Sequence, residues 1–297
     1  MKIAQIGNTA GIASTIANEQ RKKDHPVDVF VFDDITEKQF GGIRIKYSSR
    51  FSRWLFHRKL ESYDVWHYHY PHGSLKQNLE KRKQHHVFLK HYHGDDLRTV
   101  LKYEDDFCIV ATPDLLNFAP NGKWLPNPIE IEKIGSFNTD NELSNKTPLV
   151  AHYPYYSKTQ LYFDYCSRTL TRLEEQSKCI VKSIINVPHT TALKMIASCD
   201  IVVGKIIPEI GWFGKFELEG MSLGKPIITY VSDELYDKYK PPVYRTTKDT
   251  FENDLVTLIN DQLERSKLSR AGLEYVRKYH STKQVVNTLE KYYDQLL

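Results

Sequence analysis

The chain has 297 residues, 40% hydrophobic and 26% charged, enough for one large or two ordinary cores. Its 14 glycines and 13 prolines are unexceptional, which excludes collagen-like, low-complexity and disordered readings. Lys and Arg number 41 against 37 Asp and Glu; this net +4 does not announce a nucleic-acid binder, and no nucleic-acid partner is expected.

Residues 2–6 read as a buried strand, followed by a turn from Gly7 to Gly11 and a helix over 12–22. A second strand covers 27–32. Strand, glycine loop, helix and strand in that order open a parallel α/β unit. A helix is expected over 51–63, a strand over 64–69, a basic helix over 75–86, and strands over 87–92 and 107–111. Residues 134–148 are polar and rich in turn formers, so the chain is divided into domains 1–140 and 146–297, with the last helix able to cross back to the first domain. The second domain is expected to carry strands at 149–152, within 179–187, and at 201–203 and 226–230. Its helices fall at 161–176, 190–197, 216–223, 251–268, 271–278 and 282–293. The fold class is α/β, with two parallel-sheet domains in series and ligands gathering beyond the carboxyl ends of the strands, in a cleft between the two sheets.

The opening MKIAQIG lacks the long apolar run of a signal peptide, and no stretch approaches 18 apolar residues. Cys108, Cys166, Cys179 and Cys199 are widely spaced and form no CxxC pair. A reducing, cytoplasmic location is the simplest expectation.

Gly7 and Gly11 follow the first strand with a Gly-x3-Gly spacing, neither a dinucleotide fingerprint nor a P-loop. They suit either a plain strand-to-helix turn or close approach to a phosphate or sugar. Eight of the 12 histidines lie between 57 and 93. Alternation puts His67 and His69 on one face of a strand. A zinc site from that pair and a distant ligand is conceivable, but satisfied structural imidazoles are the stronger reading, and no metal is assigned. His93, at the end of a central strand near Asp95 and Asp96, is placed to handle a proton or grip sugar hydroxyls. Asp33–Asp34, Asp95–Asp96 and Asp105–Asp106 read as turn or surface acids rather than metal pairs.

Residues 44–59 hold six Lys or Arg, Arg53 among them, and no acid, interleaved with Phe51, Trp54, Leu55 and Phe56. Lys76, Lys81, Arg82, Lys83 and Lys90 add a second basic cluster. This charge is either simply solvated or meets an anionic acceptor or the inner face of a membrane. The segment from Gly211 to Ile228 is the most informative. Gly211 and Gly214 free the loop backbone, and Lys215 and Phe216 open a helix whose first amides favour an anion. Glu219, if turned to the cleft, can accept two ribose hydroxyls. Lys158, after the first strand of the second domain, can pair with the same phosphates.

This segment resembles the donor-binding stretch of retaining GT-B glycosyltransferases, family 4 above all, whose pattern is Glu-x7-Glu with Gly-Phe-Gly after the first acid. Glu219-Gly-Met-Ser-Leu-Gly-Lys-Pro226 matches the region of the second acid, which binds the nucleotide ribose in that family. The first acid would fall at Gly211, and Glu209 is a substitute two residues earlier. His93-Gly94-Asp95-Asp96-Leu97-Arg98 resembles the family's His-Gly-x-Asp-Leu-Arg, and Leu125-Pro-Asn-Pro-Ile129 the close of its first domain. The family's diphosphate arginine has no counterpart near Lys158.

The resemblance implies a GT-B fold and metal-independent transfer of a sugar from a nucleotide sugar, UDP- or GDP-linked, to a glycan or lipid-linked acceptor, with no resident cofactor. His93, Lys158 and Glu219 would be catalytic. Gly7, Gly11, Glu209, Gly211, Gly214, Lys215 and Phe216 would bind the donor, and Arg53, His69 and Asp95 would face the acceptor. The rival reading is a noncatalytic nucleotide-sugar or glycan-binding protein on a degenerate scaffold. An NAD-linked epimerase would need the absent dinucleotide fingerprint, and a pyridoxal-phosphate phosphorylase a much longer chain.

Overall fold

The structure is a computed structural model that describes residues 1–32, 40–71, 73–99, 104, 106–137, 147–154 and 160–296. It divides into unit 1, Met1–Pro128 with His280–Leu297, and unit 2, Ile129–Tyr279.

Unit 1 opens with β1 (Ile3–Ile6), α1 (Ile12–Lys22), β2 (Val27–Val31), β3 (Ile43–Arg44), α2 (Arg50–Leu60) and β4 (Val65–His69). It continues through α3 (Gly73–Glu80), β5 (Val87–Tyr92), α4 (Asp95–Arg98), β6 (Ile109–Val110) and β7 (Lys123–Trp124). The sheet runs β3-β2-β1-β4-β5-β6-β7, every pair parallel. Strand order reverses between β1 and β4, the position where open parallel sheets gather ligands.

Helices cover both faces, so strand residues are apolar on both sides. Ala4, Ile6, Phe30, Trp66 and Tyr68 pack with Phe56 and Leu60 of α2 and Leu75 and Leu79 of α3. Ile3, Val27, Val29, Val65, Val87 and Leu89 point the other way, onto α1.

Unit 2 starts with α5 (Ile131–Gly135), β8 (Leu149–His152), α6 (Gln160–Glu175), β9 (Ile180–Ser183), α7 (His189–Ala197) and β10 (Ile201–Val203). Then come α8 (Lys215–Ser222), β11 (Ile227–Thr229), α9 (Asp233–Tyr239), β12 (Tyr244–Arg245), α10 (Phe251–Asn260) and α11 (Gln262–Tyr279). The parallel sheet runs β12-β11-β10-β8-β9, which puts its switch point between β8 and β10. The final helix, α12 (Thr282–Leu296), belongs to unit 1: Val285, Val286, Leu289 and Tyr293 are buried in the same core as Ile12, Ile16 and Ala17 of α1.

Three local expectations change. The division falls after Pro128 rather than at 140, because Ile129, Ile131 and Ile134 are buried and α5 packs on α8. The basic helix stops at Glu80: Leu79 is its last buried residue, and 80–86 offers no apolar side chain to hold a further turn on the core. The helix over 251–268 breaks at Asp261, which leaves helical geometry and caps α11 by accepting the Glu264 amide at 2.9 Å. Among the described residues no helix is long and apolar enough to cross a membrane.

Because α12 closes one face of unit 1, Leu289→Ala is expected to cost about 2–5 kcal/mol. Urea unfolding should show the loss in the transition of unit 1, with that of unit 2 unmoved.

Candidate functional site

In unit 2 the sequence Gly204-Lys205 leaves β10 and the chain returns at Gly214 to start α8. Glu217 fixes this return. Its Oε1 accepts the Lys205 amide and its Oε2 the Gly214 amide, both at 2.9 Å. The carboxylate is 1% exposed and satisfies a backbone N–H at each end of the loop. Gly204 must lack a side chain, since a Cβ there would lie 2.6 Å from Glu217. A Cβ on Gly214 would lie 2.9 Å from Lys205 Nζ, so the lysine ammonium sits against the first residue of the helix. Gly211, at φ +70°, takes a conformation that glycine adopts freely and an acid only under strain.

Glu219 is 5% exposed. Its Oε1 lies 2.7 Å from His189 Nε2 and 3.5 Å from Lys215 Nζ. His189 is the first residue of α7, and so comes from an element separate from the motif that singled out Glu219. The Phe216 ring lies 5.7 Å from that of Tyr153, just beyond β8. Lys205, Lys215, Phe216 and Glu219 thus gather on the carboxyl side of β8 and β10. Glu209 is exposed in the intervening loop, and Lys158 lies outside the described residues. His189 and Lys205 escape a sequence reading. The only signal for Lys205 is its place directly after a central strand, and for His189 its place at a helix start after Pro188.

In unit 1, Gly7 and Gly11 have positive φ and close neighbours. A Cβ would meet the His69 carbonyl oxygen at 2.8 Å or the Phe40 ring at 2.5 Å. Packing therefore accounts for both glycines. Beside them four imidazoles cluster at the carboxyl ends of β4 and β5. His67 Nε2 is 3.2 Å from His91 Nδ1, and His69 Nδ1 is 3.0 Å from His93 Nε2. Tyr293 OH holds His67 Nδ1 at 2.7 Å, and Gln5 Oε1 holds His69 Nε2 at 2.7 Å.

Burial lowers all four imidazole pKa values, those of His67 and His93 to about 3 and those of His69 and His91 well below the ordinary value. Asp96 accepts the His93 and Gly94 amides, and burial pushes its carboxyl up to about 6. Asp95, beside it, is half exposed and reaches only Arg98, at 3.8 Å.

The two basic clusters part company. Lys90 is 2% exposed and bonds Glu104 at 2.7 Å and Asp106 at 3.0 Å; Lys76 bonds Glu104 at 2.8 Å. These two lysines lie in an ion network, while Lys81, Arg82 and Lys83 of the same cluster are exposed. On α2, by contrast, Phe51, Trp54 and Leu55 are exposed, and the Arg53 guanidinium stays close, 3.3 Å from the Ser49 carbonyl. The Asp33–Asp34 pair, His72 and Asp105 lie outside the described residues.

No protein-family model and no curated protein matches the sequence. Solved structures do match it. Sucrose-phosphate synthase from Thermosynechococcus elongatus aligns with a TM-score of 0.71 at 14% identity, over 100% of this chain and 99% of that one. A glycosyltransferase from Rickettsia africae aligns with a TM-score of 0.66 at 12% identity, over 99% and 98%. An alpha-glucosyltransferase in complex with UDP and a 13-mer DNA aligns with a TM-score of 0.68 at 8% identity, over 99% of each chain. The fold is therefore of the GT-B type, built from two Rossmann-like parallel-sheet domains. The last match also overturns the expectation that nucleic acid is no partner. The same fold, over nearly the same length, is found bound to DNA, so a small net charge is no ground for that exclusion.

The buried imidazoles set a pH dependence. Unfolded, each titrates near ~6.5; folded, it stays neutral far below that. The unfolded chain therefore binds more protons in this range. The stability is fully present above pH ~6.5 and is lost as pH falls from there toward the folded values. Each imidazole that stays neutral is expected to cost on the order of 2 kcal/mol at pH 5 relative to pH 7.5. Urea midpoints in chelator-containing buffer should fall accordingly, and a flat profile would contradict the burial.

Proposed function

We propose that the protein is a retaining glycosyltransferase that moves a sugar from a nucleoside-diphosphate sugar to an acceptor hydroxyl without a metal in the transfer step. The observation that carries this reading is the placement of Glu219. Its carboxylate is buried beside the start of α8, at the switch point of the unit 2 sheet, and is oriented by His189. A carboxylate so held accepts the paired hydroxyls of a ribose. The start of α8 and the Lys205 ammonium then meet the diphosphate. As the bond to the sugar breaks, charge builds on the diphosphate, and these fixed donors stabilise it without reorganising. Lys158 adds a further cation in this scheme, and His93 contacts the transferred sugar, as the family resemblance implies. The UDP seen with one fold relative and the ADP seen with the catalytic domain of starch synthase IV support a nucleoside diphosphate as the ligand class. Four free, buried cysteines fit a reducing compartment.

Glycine in place of an acid at 211 favours a second reading, in which the scaffold binds a nucleotide sugar without turning it over. Thermal unfolding and product analysis separate the two. UDP- or GDP-linked sugars should raise Tm, since a ligand of the folded state stabilises it. Released nucleoside diphosphate marks the enzyme, and protection without release marks the binder. Glu219→Ala should abolish most of the protection. Lys205→Ala should lower kcat on the order of 10²-fold while ribose binding persists. Unchanged protection in Glu219→Ala would reject the ribose assignment.

A further inference from the structure

Three members of the imidazole cluster of unit 1, His67, His69 and His91, have no role in the transfer step proposed above. Their rings are brought together by parallel pairing: His69 of β4 stands opposite His91 of β5, and His67 opposite Gln5 of β1. All lie on the α12 side of the sheet, the side onto which Tyr293 packs. His67, His69 and His91 are at most 1% exposed, and each offers a ring nitrogen within 4.8 Å of those of the other two.

We propose that His67, His69 and His91 form a binding site for a divalent transition-metal ion of the zinc class, held by unit 1 alone. Two of the ligands are already aimed. Gln5 Oε1 can only accept, so His69 carries its proton on Nε2 and keeps the lone pair on Nδ1. Tyr293 fixes His67 through Nδ1, which leaves Nε2 facing the centre. Such a hydrogen bond to the outer nitrogen is the usual means of orienting a metal-bound imidazole.

His67 Nε2 and His91 Nδ1 stand 3.2 Å apart. Two nitrogens on a tetrahedral zinc, each at 2.0–2.1 Å, stand about 3.3 Å apart. Among the described residues the network is not closed: His91 Nε2 is buried without a hydrogen-bond partner. Three neutral nitrogens with no carboxylate favour zinc, cobalt, nickel or copper over magnesium or calcium. The fourth position falls on the side of His93, the partly exposed member of the cluster. A bound ion would tie the carboxyl ends of β4 and β5 together.

The test uses the full chain stripped with EDTA, then dialysed against Co2+ or Zn2+ and analysed for bound metal. The expected result is one ion per chain, a rise in Tm, and the intense visible bands of tetrahedral cobalt. His67→Gln with His91→Gln should weaken uptake at least 100-fold, while His189→Gln in unit 2 leaves it intact. If the double variant fails to fold by circular dichroism, X-ray absorption on the cobalt-loaded wild type decides: three imidazoles around the ion support the site. Fewer than three, no uptake by the folded wild type, or uptake unchanged in a folded double variant would overturn it and leave a purely hydrogen-bonded cluster. The readout is metal uptake by unit 1, so the result is independent of whether glycosyl transfer is found.

Discussion

One carboxylate organises unit 2. Glu217 accepts the Lys205 amide after β10 and the amide of Gly214, the residue before α8, and so holds both ends of an eight-residue excursion in the chain. Without that clamp two buried N–H groups would be left unsatisfied, at about 1–3 kcal/mol each. The loop start would also be free to move against the helix. Lys205, Gly214 and Glu219 are positioned by this one side chain, though none of them touches substrate through it. The acid that holds the loop, Glu217, and the acid proposed to face a ligand, Glu219, are two residues apart on α8 and hold different partners.

Much of this organisation is legible in the sequence, and what is legible is local. Alternating apolar runs located the strands, and two of them, Val87–Tyr92 and Leu149–His152, end where periodicity places them. The glycine spacing around 211–224 announced a loop and a helix start. What was hidden depends on residues distant in the chain. Nothing near Glu219 signals His189, because the partner arrives on another helix. Alternation put His67 and His69 on one face, but only the pairing of β4 with β5 adds His91. The basic run containing Lys76 and Lys90 looked like surface until Glu104 and Asp106 came within reach. Helix ends were misjudged where a charged residue could either continue the turn or cap it, as Asp261 does.

The two units solve the problem of buried polarity differently. Unit 2 keeps its buried acids, Glu217 and Glu219, engaged with backbone amides and with basic side chains. Unit 1 also pairs buried charges, as in Lys90 with Glu104, but at the ends of β4 and β5 it buries neutral imidazoles and amides against one another and against Tyr293. Neutral groups escape the full cost of desolvating a charge, but they hold together only in one protonation state. The stability of the first sheet is therefore tied to acidity in a way that of the second is not, apart from His152, which burial also holds low at about 4.

The return of α12 to unit 1 has a consequence for biosynthesis. Unit 2 is complete in the chain by Tyr279, whereas unit 1 lacks one covering helix until Thr282–Leu296 is made. During translation the segment made first therefore waits longest. With α12 still inside the ribosomal exit tunnel, the face that carries Val27, Val65 and Leu89 is covered by α1 alone, and its remaining apolar surface is a substrate for chaperones. A ribosome that stalls before α12 has emerged would leave behind a nascent chain with a finished unit 2 and an open unit 1.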